Sequence, residues 1–296
     1  MRSRPVPPAA ADDDKLAADG LPPLRRVIED YELVAKRSLS QNFILDLNLT
    51  RRIAREAAPL DQTTVVEVGP GPGGLTRGLL MEGAKRVVAV ERDRRCLEAL
   101  GEIAAHYPGR LDVHEADALH TDWTELVGED PGHVSIVANL PYGIATGLLV
   151  GWLEADPWPP WYGRMVLMFQ KEVAERIVAE PNTKAYGRLA VLAQWRTRAR
   201  IVVNLKPEAF TPPPKVSSAV VLFEPRAEPE TACSVATLSR VTAAAFGQRR
   251  KMLRQSLRAL TPMPELLLQK VGLAPELRAE AVTVRQFAEL AAAFDG

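Results

Sequence analysis

The run Val65-Val-Glu-Val-Gly-Pro-Gly-Pro-Gly-Gly-Leu-Thr76 limits what this chain can fold into more than any other segment. A short β-branched stretch breaks into glycines and then resumes as an apolar helical pattern. Glycines permit positive φ and close backbone approach, and the start of a helix leaves main-chain N–H groups free. The result is a turn able to seat a ligand, with Gly69, Gly71 and Gly74 in the G-x-G-x-x-G order of dinucleotide sites. The same alternation continues downstream. Strand-like runs at 64–68, 86–90, 111–114, 134–138 and 165–169 are separated by helical stretches at 75–81, 94–105, 145–153 and 172–179. This predicts an α/β fold built from βαβ crossovers, its parallel sheet covered on both faces. Runs at 201–204 and 216–223 are joined by a short proline-rich connection and fit an antiparallel pair at one edge. Beyond Pro225 and Pro229 the strand signal ends, and residues 230–294 read as helices punctuated by Pro262, Pro264, Gly272 and Pro275.

The ends of the predicted strands carry polar groups in sequence. Glu91 follows the glycine turn by about 20 residues, where an acid binds ribose hydroxyls. That pairing does not separate a nicotinamide dinucleotide from S-adenosylmethionine, since both present an adenosine ribose. Asp117 lies just past the third strand and can accept from an adenine amino group. Asn139-Leu140-Pro141-Tyr142 ends the fourth. There the Asn139 side-chain oxygen and the Leu140 carbonyl can both accept from an exocyclic amino group. Pro141 fixes the local backbone, and Tyr142 offers a ring face for stacking. The plainer reading is an ordinary strand exit, where Asn and Pro are common. Glu67, inside the first strand, either contacts a ligand or is a buried acid supporting the loop.

At 296 residues the chain accommodates one α/β domain of about 200 residues and a smaller one. It has no apolar run of the roughly 18 residues that a membrane span needs. Cys96 and Cys233 lie far apart and suggest no disulfide framework, which favours a cytoplasmic protein. The histidines at 106, 114, 120 and 133 show no metal-ligand spacing and read as surface or loop residues. Net formal charge is zero, yet two stretches lack acids. One holds Lys184, Arg188, Arg196, Arg198, Arg200 and Lys206; the other holds Arg240, Arg249, Arg250, Lys251, Arg254 and Arg258. Such single-sign segments are candidate contacts for a polyanion, or else solvated faces. Residues 1 to about 23, rich in Pro, Ala and Asp, are expected to be disordered. The loop Asp156-Pro-Trp-Pro-Pro-Trp-Tyr162 reads as rigid packing.

Seven segments in fixed order resemble one family, the ribosomal RNA adenine dimethyltransferases, and within it the bacterial housekeeping branch acting on small-subunit rRNA. They are Lys36-Arg-Ser-Leu-Ser-Gln-Asn-Phe43, the glycine turn, Glu91 with Asp93, Asp117, Asn139-Leu-Pro-Tyr142, Phe210-Thr-Pro-Pro-Pro-Lys-Val216 and Phe246-Gly-Gln-Arg-Arg-Lys-Met-Leu253. The match runs from about residue 31 to residue 287, with Ser40 where the family usually has glycine. The resemblance implies a Rossmann-like, S-adenosylmethionine-dependent methyltransferase sheet at 31–226. An N-terminal extension (1–30) precedes it and a helical rRNA-binding domain (227–296) follows. It implies cofactor contacts at Gln41, Asn42, Ile44, Gly69, Gly71, Glu91, Asp117 and Asn139. Catalytic contacts fall to Asn139, Leu140, Tyr142 and Phe210, with Phe210 as a second aromatic wall or else a core-packing residue. With RNA as the substrate, the basic segments are the candidates for its phosphates: Arg249, Arg250 and Lys251 on the C-terminal helices, Lys215, and Arg196, Arg198 and Arg200 near the sheet edge. The implied reaction is N6,N6-dimethylation of two adjacent adenosines in the 3′-terminal hairpin loop of 16S rRNA by a monomer acting on the immature small subunit, with no metal. Two alternatives stay open: a resistance-type methyltransferase of large-subunit rRNA, and a mainly non-catalytic assembly factor.

Overall fold

The strand Thr63–Val68 is buried at all six positions, as a strand covered on both faces must be. The computed structural model describes residues 16–33, 41–128 and 132–295. In it this strand is β2, preceded by α1 (Leu24–Asp30), the short β1 (Phe43–Ile44) and α2 (Leu47–Arg55). The βα alternation follows as α3 (Gly74–Met81), β3 (Arg86–Glu91), α4 (Arg95–His106), β4 (Leu111–Glu115), α5 (Trp123–Val127), β5 (His133–Ala138), α6 (Tyr142–Glu154) and β6 (Arg164–Gln170). Then come α7 (Lys171–Ile177), α8 (Arg188–Arg196), β7 (Thr197–Leu205), β8 (Phe210–Thr211) and β9 (Ser218–Pro225). Four helices close the chain: α9 (Val235–Gly247), α10 (Leu253–Ser256), α11 (Pro264–Lys270) and α12 (Val284–Asp295).

The main sheet has the order β4-β3-β2-β5-β6-β9-β7. β2 to β6 run parallel, and β9 lies antiparallel between β6 and β7. The strand order reverses between β2 and β5, and such a switch point opens a crevice at the carboxyl ends of the strands. Alternation along each strand divides the core. Val66, Ile136, Leu167 and Val221 face α6, α8, α9 and α12, while Val65, Val137, Val166 and Val220 face α1 to α4. The first of these clusters continues without interruption into the C-terminal helices through Trp195, Val241 and Phe287. Tyr186 joins them, its hydroxyl donating to the Val282 carbonyl at 2.8 Å.

The antiparallel edge pair is present, but β7 is longer than its apolar residues suggest. Arg198 and Arg200 are exposed on this edge strand, and charge there discourages pairing with other chains. Residues 16–33 depart from the disorder expected through about residue 23. Asp19 makes an ion pair of 2.5 Å with Arg77, both side chains almost wholly buried, and Leu21, Leu24, Val27 and Leu33 are buried with them. Composition concealed this because the partner of Asp19 lies 58 residues downstream. Residues 1–15 lie outside the described residues, as do the first five of the Lys36–Phe43 segment, Ser40 among them.

Candidate active site

A cavity of about 210 Å³ opens at the carboxyl ends of β2, β3, β4 and β5, at the switch point of the sheet. Gly69, Gly71, Glu91, Asp117, Asn139, Leu140 and Tyr142 line it, together with Gln41, Asn42 and Ile44 from the strap that covers it. The fit between strap and glycine turn is close. Gly71 has φ of +56°, and a Cβ there would lie 2.9 Å from the Phe43 ring. A Cβ on Gly74 would lie 2.5 Å from the Ile44 carbonyl oxygen. Side chains at either position would push the strap off the turn.

Glu91 ends β3 and is 6 % exposed. Its two carboxylate oxygens accept from Gly71 N (2.9 Å) and Asp93 N (2.7 Å), so the acid also shapes the glycine turn. Burial raises its pKa, and those two N–H groups partly offset the rise. Glu67 accepts from the Thr76 hydroxyl at 2.6 Å, tying β2 to α3. Burial pushes its pKa up to about 8. Although it borders the cavity, this bond makes it the buried acid that supports the loop. Asp93 is held down to about 2, chiefly by the Arg95 guanidinium, and also accepts from Gln41 Nε2 at 3.1 Å. Asp117 faces Arg92 at 3.1 Å and accepts from Leu119 N at 3.1 Å.

Asn139 follows β5, and its Nδ2 donates to the Asn42 carbonyl at 3.1 Å. The side-chain oxygen is thereby left as the acceptor on the cavity wall. Leu140 is buried among apolar neighbours and borders the cavity. Pro141 precedes the first residue of α6, Tyr142, whose hydroxyl shares a 2.6 Å hydrogen bond with Ser218 Oγ.

The rRNA adenine dimethylase family model, "Ribosomal RNA adenine dimethylase", matches residues 33–295. This chain belongs to that family. Among its relatives, "Ribosomal RNA small subunit methyltransferase A" of Xanthobacter autotrophicus is 61% identical over 94% of this chain and 96% of the relative. The protein of the same description from Chelativorans sp. is 61% identical over 93% and 99%. Among solved structures, a dimethyladenosine transferase from Plasmodium falciparum has a TM-score of 0.72 at 24% identity, covering 83% of this chain and 94% of that one. The 23S rRNA methyltransferase ErmE has a TM-score of 0.65 at 27% identity, covering 86% and 100%. The sheet followed by C-terminal helices is thus the fold of the adenine dimethylases.

Several expectations, from the family motifs and from the acid-free runs, need correction in this dimethylase. Phe210 is not a wall of the cavity: it is 3 % exposed, pairs with Ile44 across β1 and β8, and packs in the core beneath the strap. Phe43 is the aromatic residue that borders the cavity beside Tyr142, and its contact with Gly71 was not legible from spacing. Arg196 is 4 % exposed and donates to the carbonyls of Leu153 and Ala155, so it is unavailable to a polyanion. Arg249, Arg250 and Lys251 occupy the turn after α9 rather than a helix. Within that turn Arg249 pairs with Glu280 at 3.1 Å and donates to the Thr183 carbonyl, while Arg250 and Lys251 are exposed. Lys215 is exposed in the loop before β9. Among the described residues no group of three or more His, Cys, Asp or Glu could hold a metal, and no helix is long and apolar enough to cross a membrane.

Proposed function

We propose that this chain methylates the N6 amino groups of two adjacent adenosines in the 3′-terminal hairpin loop of 16S rRNA, using S-adenosylmethionine. The observation that carries the reading is the Asn139–Asn42 hydrogen bond, which leaves the Asn139 oxygen as an acceptor beside the Leu140 main chain. The residues present fit an adenosyl cofactor. The Glu91 carboxylate retains acceptor capacity for a ribose hydroxyl beside the main-chain N–H groups it already accepts from, and Asp117 stands where an adenine amino group would be met. Gly69, Gly71 and the Ile44 backbone form the floor and strap. Gln41 and Asn42 lie where amides can bond an amino acid zwitterion.

When bound, that cofactor supplies an electrophilic methyl group on a cationic sulfur. The residues of this chain orient the nucleophile. An adenine amino nitrogen is weak because its lone pair is delocalised into the ring. Asn139 Oδ1 and the Leu140 carbonyl accept its two hydrogens, favour a pyramidal nitrogen and stabilise the positive charge that grows there. Tyr142 stacks on the base, which must leave its helix or loop stack to enter the cavity. No general base is assigned, because the proton can leave after attack. Arg250, Lys251 and Lys215 neutralise phosphates and position the RNA without reading its sequence. A monomer working on the immature small subunit in the cytoplasm completes the proposal.

The relatives at 61% identity are described as small-subunit enzymes, whereas the large-subunit enzyme ErmE stands at 27%. That gap favours the 16S target over a resistance-type reaction. The test incubates the protein and labelled cofactor with undermethylated small subunits and, separately, with large-subunit rRNA, then maps methylated adenosines. Label in the 16S 3′ hairpin supports the reading. Label confined to large-subunit rRNA, or none, overturns it.

A further inference from the structure

Tyr142 is the first residue of α6, and the helix N-terminus there has no side-chain cap. Its ring is half-buried, and the direction of the phenol is set by what its hydroxyl meets. The structure assigns that task to Ser218: we propose that it is a positioning residue that fixes the plane of the Tyr142 ring for the target base. The inference rests on the stacking role proposed for Tyr142. Ser218 opens β9 and is fully buried. Its backbone is held from both sides, opposite Gln170 of β6 and Leu205 of β7. The Oγ therefore has a fixed place in the sheet, and the 2.6 Å hydrogen bond transmits that place to the phenol oxygen. The ring is gripped at two ends, by its Cβ on α6 and by its hydroxyl on β9. Residue spacing does not disclose this link, since the partners are 76 positions apart.

The same anchor ends the loop that carries Lys215. Lys171 N donates to the Ser217 carbonyl at 2.9 Å, which pins the loop's last residue before β9. Base platform and basic loop thus meet at one point in the sheet. If Ser218 merely satisfied a buried hydroxyl, its loss would lower stability and leave the rate of a folded variant unchanged. As a positioning residue, its loss lowers the rate with cofactor binding intact.

The experiment compares the full chain with Ser218→Ala, Tyr142→Phe and the double variant. Single-turnover methyl transfer to undermethylated small subunits is measured at saturating cofactor, with cofactor affinity from calorimetry. NMR on ring-labelled tyrosine reads the environment of the Tyr142 hydroxyl. We expect Ser218→Ala and Tyr142→Phe each to slow transfer roughly three- to tenfold, the worth of one hydrogen bond. The double variant should be no slower than the slower single one, and cofactor affinity should be unchanged. Ser218→Ala should also shift the Tyr142 ring-carbon resonance beside the hydroxyl. A folded Ser218→Ala at the wild-type rate, an unshifted resonance, or multiplicative losses in the double variant would overturn the proposal. Should Ser218→Ala fail to fold, Tyr142→Phe decides alone, and a full rate there rejects it. Inactivity of the wild-type chain would count against the function proposed above, while the NMR comparison would still decide the contact.

Discussion

Asn139 Nδ2 donates to the main-chain carbonyl of Asn42 at 3.1 Å, so the strap over the cavity dictates which end of the Asn139 amide is free to accept. Removing that amide removes both the acceptor and the tie. Asn139→Ala should slow methyl transfer by on the order of 100-fold or more, as loss of an aligned transition-state contact does elsewhere. RNA binding should persist, because phosphate contacts fall to Arg250, Lys251 and Lys215, whose side chains the substitution leaves in place. Asn139→Asp keeps the acceptor but sets a carboxylate against the Asn42 carbonyl, and should also fail. Single-turnover assays with a parallel RNA-binding titration check both; turnover retained in Asn139→Ala would remove the residue from the mechanism.

Glu67 makes stability depend on pH in an unusual direction for a carboxylate. Its folded pKa lies near 8, against an ordinary value of 4.5, because burial disfavours the charged form. Below the ordinary value both states hold the proton. Between the two values the unfolded chain ionises while the folded one does not, so rising pH erodes stability until the folded pKa is passed. Glu91, also raised by burial, acts in the same sense. Glu67→Gln keeps an acceptor for Thr76 and cannot ionise. Urea unfolding from pH 5 to pH 8.5 should show a smaller fall in stability for this variant than for the wild type. Parallel curves would mean that Glu67 titrates normally.

The parallel strands and the residues at their ends were legible because each signal is local. A β-branched run, a glycine turn and a terminal polar residue sit within about ten positions of one another, and sheet burial enforces their alternation. What stayed hidden depends on distant partners. The phenol of Tyr142 finds Ser218, Asp19 finds Arg77, and Phe210 sinks beneath the strap because β8 pairs with β1. Arg196 shows the same limit for charge. Within an acid-free run it resembles a phosphate contact, yet three carbonyl or carboxylate oxygens from 153–156 surround it. Helices α2 and α8 also escaped: arginines interrupt the apolar residues of α2, and α8 is buried nearly all round, so its apolar run shows no one-sided helical period.

The Asp19–Arg77 pair locks the N-terminal segment behind the helix that follows the glycine turn. Arg77 also donates to the Pro22 carbonyl at 2.8 Å. Truncating the acid alone leaves a buried guanidinium without its counter-charge, which costs about 3–5 kcal/mol in comparable pairs. Asp19→Ala should therefore lower the unfolding free energy by about 3 kcal/mol in a denaturant titration. Replacing both residues with apolar ones, Asp19→Leu with Arg77→Met, should recover much of that loss, because no buried charge remains. An unaltered midpoint for Asp19→Ala would show that the segment is not held through this pair.

The three cations of the 249–251 turn should separate by experiment, although they are adjacent in sequence. Arg250 and Lys251 are exposed, whereas Arg249 is spent on Glu280 and the Thr183 carbonyl. A cation that neutralises a phosphate releases condensed counterions, so its loss reduces the salt dependence of binding by about one unit of slope. Arg250→Ala and Lys251→Ala should each show that reduction when affinity for small-subunit rRNA is followed across a salt series. Arg249→Ala should leave the slope near the wild-type value. Its effect should appear in unfolding, at up to about 1 kcal/mol for a half-exposed ion pair. Equal slope changes for all three would mean that RNA draws Arg249 away from Glu280, and the turn would then act as one three-charge patch.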